Sequence, residues 1–142
     1  MDITITPTAL KGIVTPPPSK SQAHRLPLAA ALAQGESVIS NVALSQDIAA
    51  TIRCLEELGA YIRMDGSTAT VRGMAAGPMS PLRRMALPHM DCGESGSTLR
   101  FLIPVALAVR GGGIFTGHGR LMERPLDPYA RLFREKGISW ER

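Results

Sequence analysis

Ser19-Lys20-Ser21-Gln22-Ala23-His24-Arg25 runs into Leu26, Leu28 and an alanine-rich stretch that ends at Ala33 and Gly35. Ser95-Gly96-Ser97-Thr98-Leu99-Arg100 runs into an apolar stretch that ends at Gly111. Both read as hydroxyl-rich caps, then helix formers, then a glycine stop. Laid on one another at a spacing of 75, Arg25 falls on Arg100, Ala31-Leu32-Ala33 on Ala106-Leu107-Ala108, and Ile39 on Ile114. After a three-residue insertion the match resumes at 78, with Leu55, Glu57 and Gly59 on Phe133, Glu135 and Gly137. A supersecondary unit is therefore present twice. Helices alternating with short strands make the fold class α/β (α+β), built of repeated β/α units.

Working outward, Ile3-Thr4-Ile5 alternates as a short strand does, and Pro16-Pro17-Pro18 forces an extended connection. The first copy continues with a strand over 37–41 and a helix over 47–58, with Ile48, Ile52, Leu55 and Leu58 on one face and Gly59 as its stop. Strands over 61–64 and 68–72 follow. In the second copy the helix opens at Gly93-Glu94-Ser95-Gly96-Ser97-Thr98 and runs through Val109, a strand covers 114–116, and a helix covers 127–136. The organisation expected is an N-terminal strand and linker over 1–18, a first unit over 19–78 and a second over 79–142. The second copy stops without the two strands that follow Gly59, so its last helix lacks the sheet its apolar face expects, and the chain reads as part of something longer. Pro27 is tolerable in the first helix only near its start.

At 142 residues the chain has the length of one ordinary domain. It contains no apolar run of the roughly 20 residues that cross a membrane and no signal-like start, so a soluble, cytoplasmic protein is expected. Cys54 and Cys92 form no C-x-x-C pair and are expected as free, buried thiols. His24, His89 and His118 lack metal-ligand spacing, so no metal site is expected. Sixteen basic against 12 acidic side chains suit an anionic partner. Six aromatic residues and no basic run longer than Arg83-Arg84 argue against nucleic acid. The absence of a G-x-x-x-x-G-K-[ST] loop, a G-x-G-x-x-G turn and a G-x-S-x-G elbow argues against nucleotides and a serine hydrolase.

Chemistry concentrates where each copy starts a helix. Unpaired N–H groups and the positive helix end favour an anion there by about 0.3–1 kcal/mol. Lys20, Arg25 or Arg100 would add charge-assisted bonds worth roughly 1.5–3 kcal/mol each. Ordinary capping with solvated basic residues explains either start alone, but the recurrence favours a pair of anion sites. A third basic element, Arg120-Leu121-Met122-Glu123-Arg124-Pro125, follows Gly117-His118-Gly119 and is stiffened by Pro125 and Pro128. His24 reads equally as a site residue or a packed one.

Pro18-Ser19-Lys20-Ser21-Gln22-Ala23-His24-Arg25, Ser45-Gln46-Asp47, Gly93 through Arg100, and Met122-Glu123-Arg124-Pro125 stand in a familiar order. With them the chain resembles the N-terminal part of the 5-enolpyruvylshikimate-3-phosphate synthase family over essentially its whole length. The resemblance implies the enolpyruvyl transferase fold, with two inside-out α/β barrel-like domains of three β/α copies each and helix starts facing the cleft between them. This chain would hold two copies, the second incomplete, and its first strand would belong to the other domain. The implied reaction transfers the enolpyruvyl group of phosphoenolpyruvate to the 5-hydroxyl of shikimate 3-phosphate with release of phosphate, in the shikimate pathway to chorismate and aromatic amino acids. Lys20 would contact both substrates, Ser21 and Arg25 shikimate 3-phosphate, and Gly96 and Arg124 phosphoenolpyruvate, with Asp47, Glu94, Ser97, Arg100 and Arg120 around them. No cofactor, metal, nucleic acid or membrane is implied, and the full-length protein would be a monomer.

Two departures from the family pattern stand out. Glu94 replaces a frequent Asn, and a carboxylate beside a phosphate is unfavourable unless protonated, turned away or paired. Phe101 replaces a frequent Pro, with an effect expected on packing only. The candidate acid and base residues would lie beyond position 142, so the chain alone is not expected to turn over. The related enolpyruvyl transferase acting on UDP-N-acetylglucosamine fits less well, since it presents Lys-Asn where Lys20-Ser21 stands and a reactive cysteine in the loop held here by Arg120 to Arg124. A non-catalytic polyanion-binding module is the reading from a different class.

Overall fold

The computed structural model describes residues 2–9, 11–74 and 86–142. The expected boundary at 78/79 and the Arg83-Arg84 pair lie outside the described residues. The elements are α1 (Lys20–Leu32), β1 (Glu36–Ile39), α2 (Gln46–Leu58), β2 (Tyr61–Asp65), β3 (Thr68–Arg72), β4 (His89–Asp91), α3 (Gly96–Arg110), β5 (Ile114–Thr116), a 3-10 helix over Gly119–Glu123, and α4 (Asp127–Glu135). The order helix–strand–helix thus occurs as α1-β1-α2 and again as α3-β5-α4. The 3-10 helix falls in the β5–α4 connection, where the register between the copies shifts from 75 to 78.

The three long helices begin alike. Ser19 accepts from the Gln22 amide at 3.4 Å, Ser45 from Ile48 at 3.3 Å and Ser95 from Thr98 at 3.2 Å, so each start has one orphan donor satisfied by a serine cap. Gly59 and Gly111 close α2 and α3 in the left-handed conformation, at φ 115° and 76°, which a Cβ disfavours. Strands β1, β3 and β2 form an antiparallel sheet in that order, while β4 and β5 pair in parallel across the α3 crossover. Between them runs α2, which packs against α1, α3, β2 and β4. Its buried set therefore includes Ala50, Thr51 and Cys54 besides the expected Ile48, Ile52, Leu55 and Leu58. Leu102 and Met90 complete the core.

Several expectations are corrected. Residues 3–5 form no strand; Ile3 and Ile5 are exposed, as are Ile13 and Val14. A strand needs a neighbour for its N–H and C=O groups, and no described strand pairs with this segment. Helix α1 begins at Lys20, two residues earlier than its apolar pattern suggests, which leaves Pro27 well inside it. The ring is fully buried, and that burial offsets the hydrogen bond its nitrogen cannot donate. Strand β1 ends at Ile39 because Asn41 turns left-handed at φ 60°.

Candidate functional site

The first turns of the three capped helices are tied to one another. On α1, Lys20 Nζ donates to the carboxylate of Asp47 in the first turn of α2. The backbone carbonyl of Asp47 accepts from Thr51 Oγ1 at 3.1 Å and from Thr98 Oγ1, in the first turn of α3, at 3.3 Å. Three positive helix ends therefore gather in one place, where the duplicated motif alone pointed to two.

Gly96 occupies the first turn of α3 beneath two guanidinium groups. A Cβ added there would stand 2.5 Å from Arg124 Nη1 and 2.7 Å from Arg100 Nη1, so the close approach of both arginines requires glycine. Arg100 is braced: Nη1 donates to Gly96 O at 3.3 Å and Nη2 to Pro125 O at 3.4 Å, and its own carbonyl accepts from Tyr129 Oη at 2.8 Å. Arg142 donates to the carbonyl of Arg124 at 3.2 Å. Among the described residues neither Arg100 nor Arg124 meets a carboxylate. Two adjacent uncompensated cations beside a helix start favour an anion between them.

Glu94 does not fill that role. Its carboxylate turns to the loop after β5, with Oε1 3.8 Å from His118 Nδ1, and it lies so close over Gly119 that a Cβ there would overlap it. The unusual carboxylate is thus turned toward an imidazole. Arg25 donates to the Ser21 carbonyl at 3.0 Å, and its guanidinium lies 4.9 Å from the ring centroid of Phe101. Phe101 therefore does more than pack, because it holds Arg25 across the α1–α3 boundary by a cation–π contact. Ser97 and Arg120 are exposed and make no hydrogen bond or ion pair with the other candidates. Arg120 stands in the 3-10 helix over Gly119–Glu123, beside Arg124 in the sequence.

His24 is packed. It is 2% exposed, with Nδ1 2.8 Å from Thr51 Oγ1. Burial pushes its imidazole below the usual 6.5; Asp47 opposes that shift, and Lys20 and Arg25 reinforce it. Thr51, Thr98 and Phe101 are site neighbours that sequence reasoning missed, since a threonine on a helix carries no local signal of what it meets across the core. Cys54 and Cys92 are free and buried; the neighbouring Cys92 sulfur and burial push the Cys54 thiol upward, away from nucleophilic use. Among the described residues, no group of three metal-ligating side chains gathers and no helix is long and apolar enough to cross a membrane.

Paired arginines without a carboxylate and clustered helix starts give this α/β protein a cationic candidate site. The profile of the family described as EPSP synthase (3-phosphoshikimate 1-carboxyvinyltransferase) matches residues 5–141, and the chain belongs to this family. It is 42% identical over 138 residues to the 3-phosphoshikimate 1-carboxyvinyltransferase of Clostridium perfringens, covering 97% of this chain and 31% of that protein. Identity to the corresponding protein of Clostridium novyi is 42% over 144 residues, covering 99% and 33%. A solved EPSP synthase structure from Acinetobacter baumannii superposes with a TM-score of 0.70 at 25% identity, covering 89% of this chain and 28% of that one. The chain thus spans about a third of the length of the curated relatives it matches.

Proposed function

We propose that this chain supplies one wall of an enolpyruvyl-transfer site that takes phosphoenolpyruvate and shikimate 3-phosphate. Lys20, Ser21 and Arg25 hold shikimate 3-phosphate, while Lys20, Gly96 and Arg124 hold phosphoenolpyruvate, with Arg100 and Asp47 setting the geometry around them. Both substrates are multiply anionic, and transfer to the 5-hydroxyl expels a further anion, inorganic phosphate. Fixed cations and helix N–H groups stabilise such charge without reorganising. The observation that carries the reading is the pair of guanidiniums over Gly96 without a carboxylate among the described residues. Lys20 is bonded to Asp47 through one of the three protons of its ammonium, and it offers the others to substrate oxygens while it keeps that carboxylate. The two repeat units, over 19–78 and 79–142, are proposed as the frame.

Titration of isotope-labelled chain followed by amide NMR tests the assignment. Phosphoenolpyruvate should saturably shift the Gly96 and Ser97 amides, and shikimate 3-phosphate those of Lys20 and Ser21. Duplex DNA should shift neither. Equal responses to DNA would indicate a general polyanion surface, and no saturable response at either pair would end the proposal.

A further inference from the structure

The side chains between the helix starts form an unbroken polar chain. His24 Nδ1 lies 2.8 Å from Thr51 Oγ1, which lies 2.7 Å from Thr98 Oγ1, which lies 2.7 Å from Ser95 Oγ. All four residues are at most 2% exposed. One stands on α1, one on α2, one in the first turn of α3, and the last caps α3. Such a chain holds best when its buried donors find acceptors.

Counting protons gives it a direction. Each hydroxyl has one proton to donate. Asp47 O can only accept, and it lies within reach of both threonines; Ser95 Oγ already accepts from the Thr98 amide. His24 Nε2 is buried and meets no partner. A proton there would be an orphaned donor costing roughly 1–3 kcal/mol, whereas a proton on Nδ1 is accepted by Thr51. An unpaired lone pair is the more readily tolerated defect. With Nδ1–H donating to Thr51, the Thr51 hydroxyl serves Thr98 or Asp47 O, and the Thr98 hydroxyl serves Ser95 or Asp47 O. Every donor from His24 Nδ1 through Thr98 Oγ1 is then used, and the chain ends on Ser95 Oγ.

We infer that His24, as its Nδ1–H tautomer, is a positioning residue: it heads a directed hydroxyl chain that locks the starts of α1, α2 and α3 in one register, and so sets Lys20 against Gly96 and Arg124. This rests on the anion-binding reading of those residues. His24 itself touches no substrate.

Two measurements decide it. In the ligand-free chain, the imidazole ¹⁵N shifts should show a protonated Nδ1 and a bare Nε2; the opposite pattern overturns the inference. Inorganic phosphate is then titrated against wild type, Thr51→Val and Thr51→Ser, with the Gly96 and Ser97 amides as reporters. Thr51→Val keeps the shape and removes the hydroxyl, so affinity should fall by about fivefold, within the range by which residues along a coupling network act. Thr51→Ser removes a buried methyl and keeps the hydroxyl. It should lower the unfolding temperature while holding affinity within about twofold of wild type, below the smallest effect expected of a coupling residue. A merely structural role would order both readouts alike, and that result, or an unchanged affinity in Thr51→Val, overturns the proposal. Should Thr51→Val fail to fold, the tautomer and Thr51→Ser decide. Wild type that binds no phosphate sinks the anion-site reading and this inference with it, whereas binding indifferent to Thr51→Val sinks the hydroxyl chain alone.

Discussion

At Gly96 the proposed site calls for the absence of a side chain more than the fold does. The atoms a Cβ would meet are the flexible ends of Arg100 and Arg124, not backbone, so Gly96→Ala forces the guanidiniums to move and leaves the helix intact. Alanine is the better helix former, and the unfolding temperature should hold or rise. Phosphoenolpyruvate affinity should fall by about tenfold or more, the equivalent of one charge-assisted bond. Calorimetric titration beside thermal unfolding separates the two effects; equal losses in both would mean that the glycine serves packing. His24 yields a prediction with a definite sign. Its folded value lies below 6.5, lowered by burial against the pull of Asp47 and with the push of Lys20 and Arg25. Between the folded and unfolded values the unfolded chain binds a proton that the folded chain refuses, so stability is full above 6.5 and falls as the pH drops toward the folded value. Denaturant midpoints should decline between about pH 7.5 and about pH 5.5 in wild type, and decline less in His24→Gln. Parallel slopes in the two proteins would remove His24 from the account.

Among elements, the three serine-capped helix starts are equivalent in pattern and unequal in context. Ser19 is exposed and bonds its amide at 3.4 Å, whereas Ser95 is 2% exposed and accepts from both the amide and the hydroxyl of Thr98. Ser19→Ala should cost about 0.5 kcal/mol and Ser95→Ala about 2 kcal/mol, the two ends of the range for caps, as read by chemical denaturation. Equal costs would show that burial adds nothing to the cap. The same contrast explains what was legible beforehand. Caps, glycine stops and apolar periodicity are local, and they delivered α1, α2, α3 and the β2–β3 pair nearly to the residue. Strand β4, of three residues, exists because β5 lies beside it, and residues 3–5 stay unpaired because nothing described does. The candidate site divides in the same way. Lys20, Gly96, Arg100 and Arg124 were readable from composition at helix starts and from family motifs, but Phe101 under Arg25 and the Thr51–Thr98 contact required helices remote in sequence to cross.

For the whole molecule the question is whether the gathered charges suffice for chemistry. Enolpyruvyl transfer must move protons as well as stabilise anions, and a group that does so needs to reach substrate in a changeable protonation state. Each described candidate is already committed. Asp47 is bonded to Lys20, Glu94 faces His118, and His24 lies buried on Thr51. The cations lie at the surface: Arg124 is exposed, and the Lys20 side chain is 61% exposed. In that high-dielectric setting a charge contact is worth a fraction of its value in a water-excluded cleft. The chain of 142 residues should therefore bind phosphoenolpyruvate and shikimate 3-phosphate weakly and release no phosphate from the mixture above the buffer rate. A coupled phosphate assay at saturating substrate reads this directly. Turnover by the purified chain would mean that one of Asp47, Glu94 or His24 leaves its partner to act as an acid or base, and abolition of that turnover by Asp47→Asn, Glu94→Gln or His24→Gln would say which.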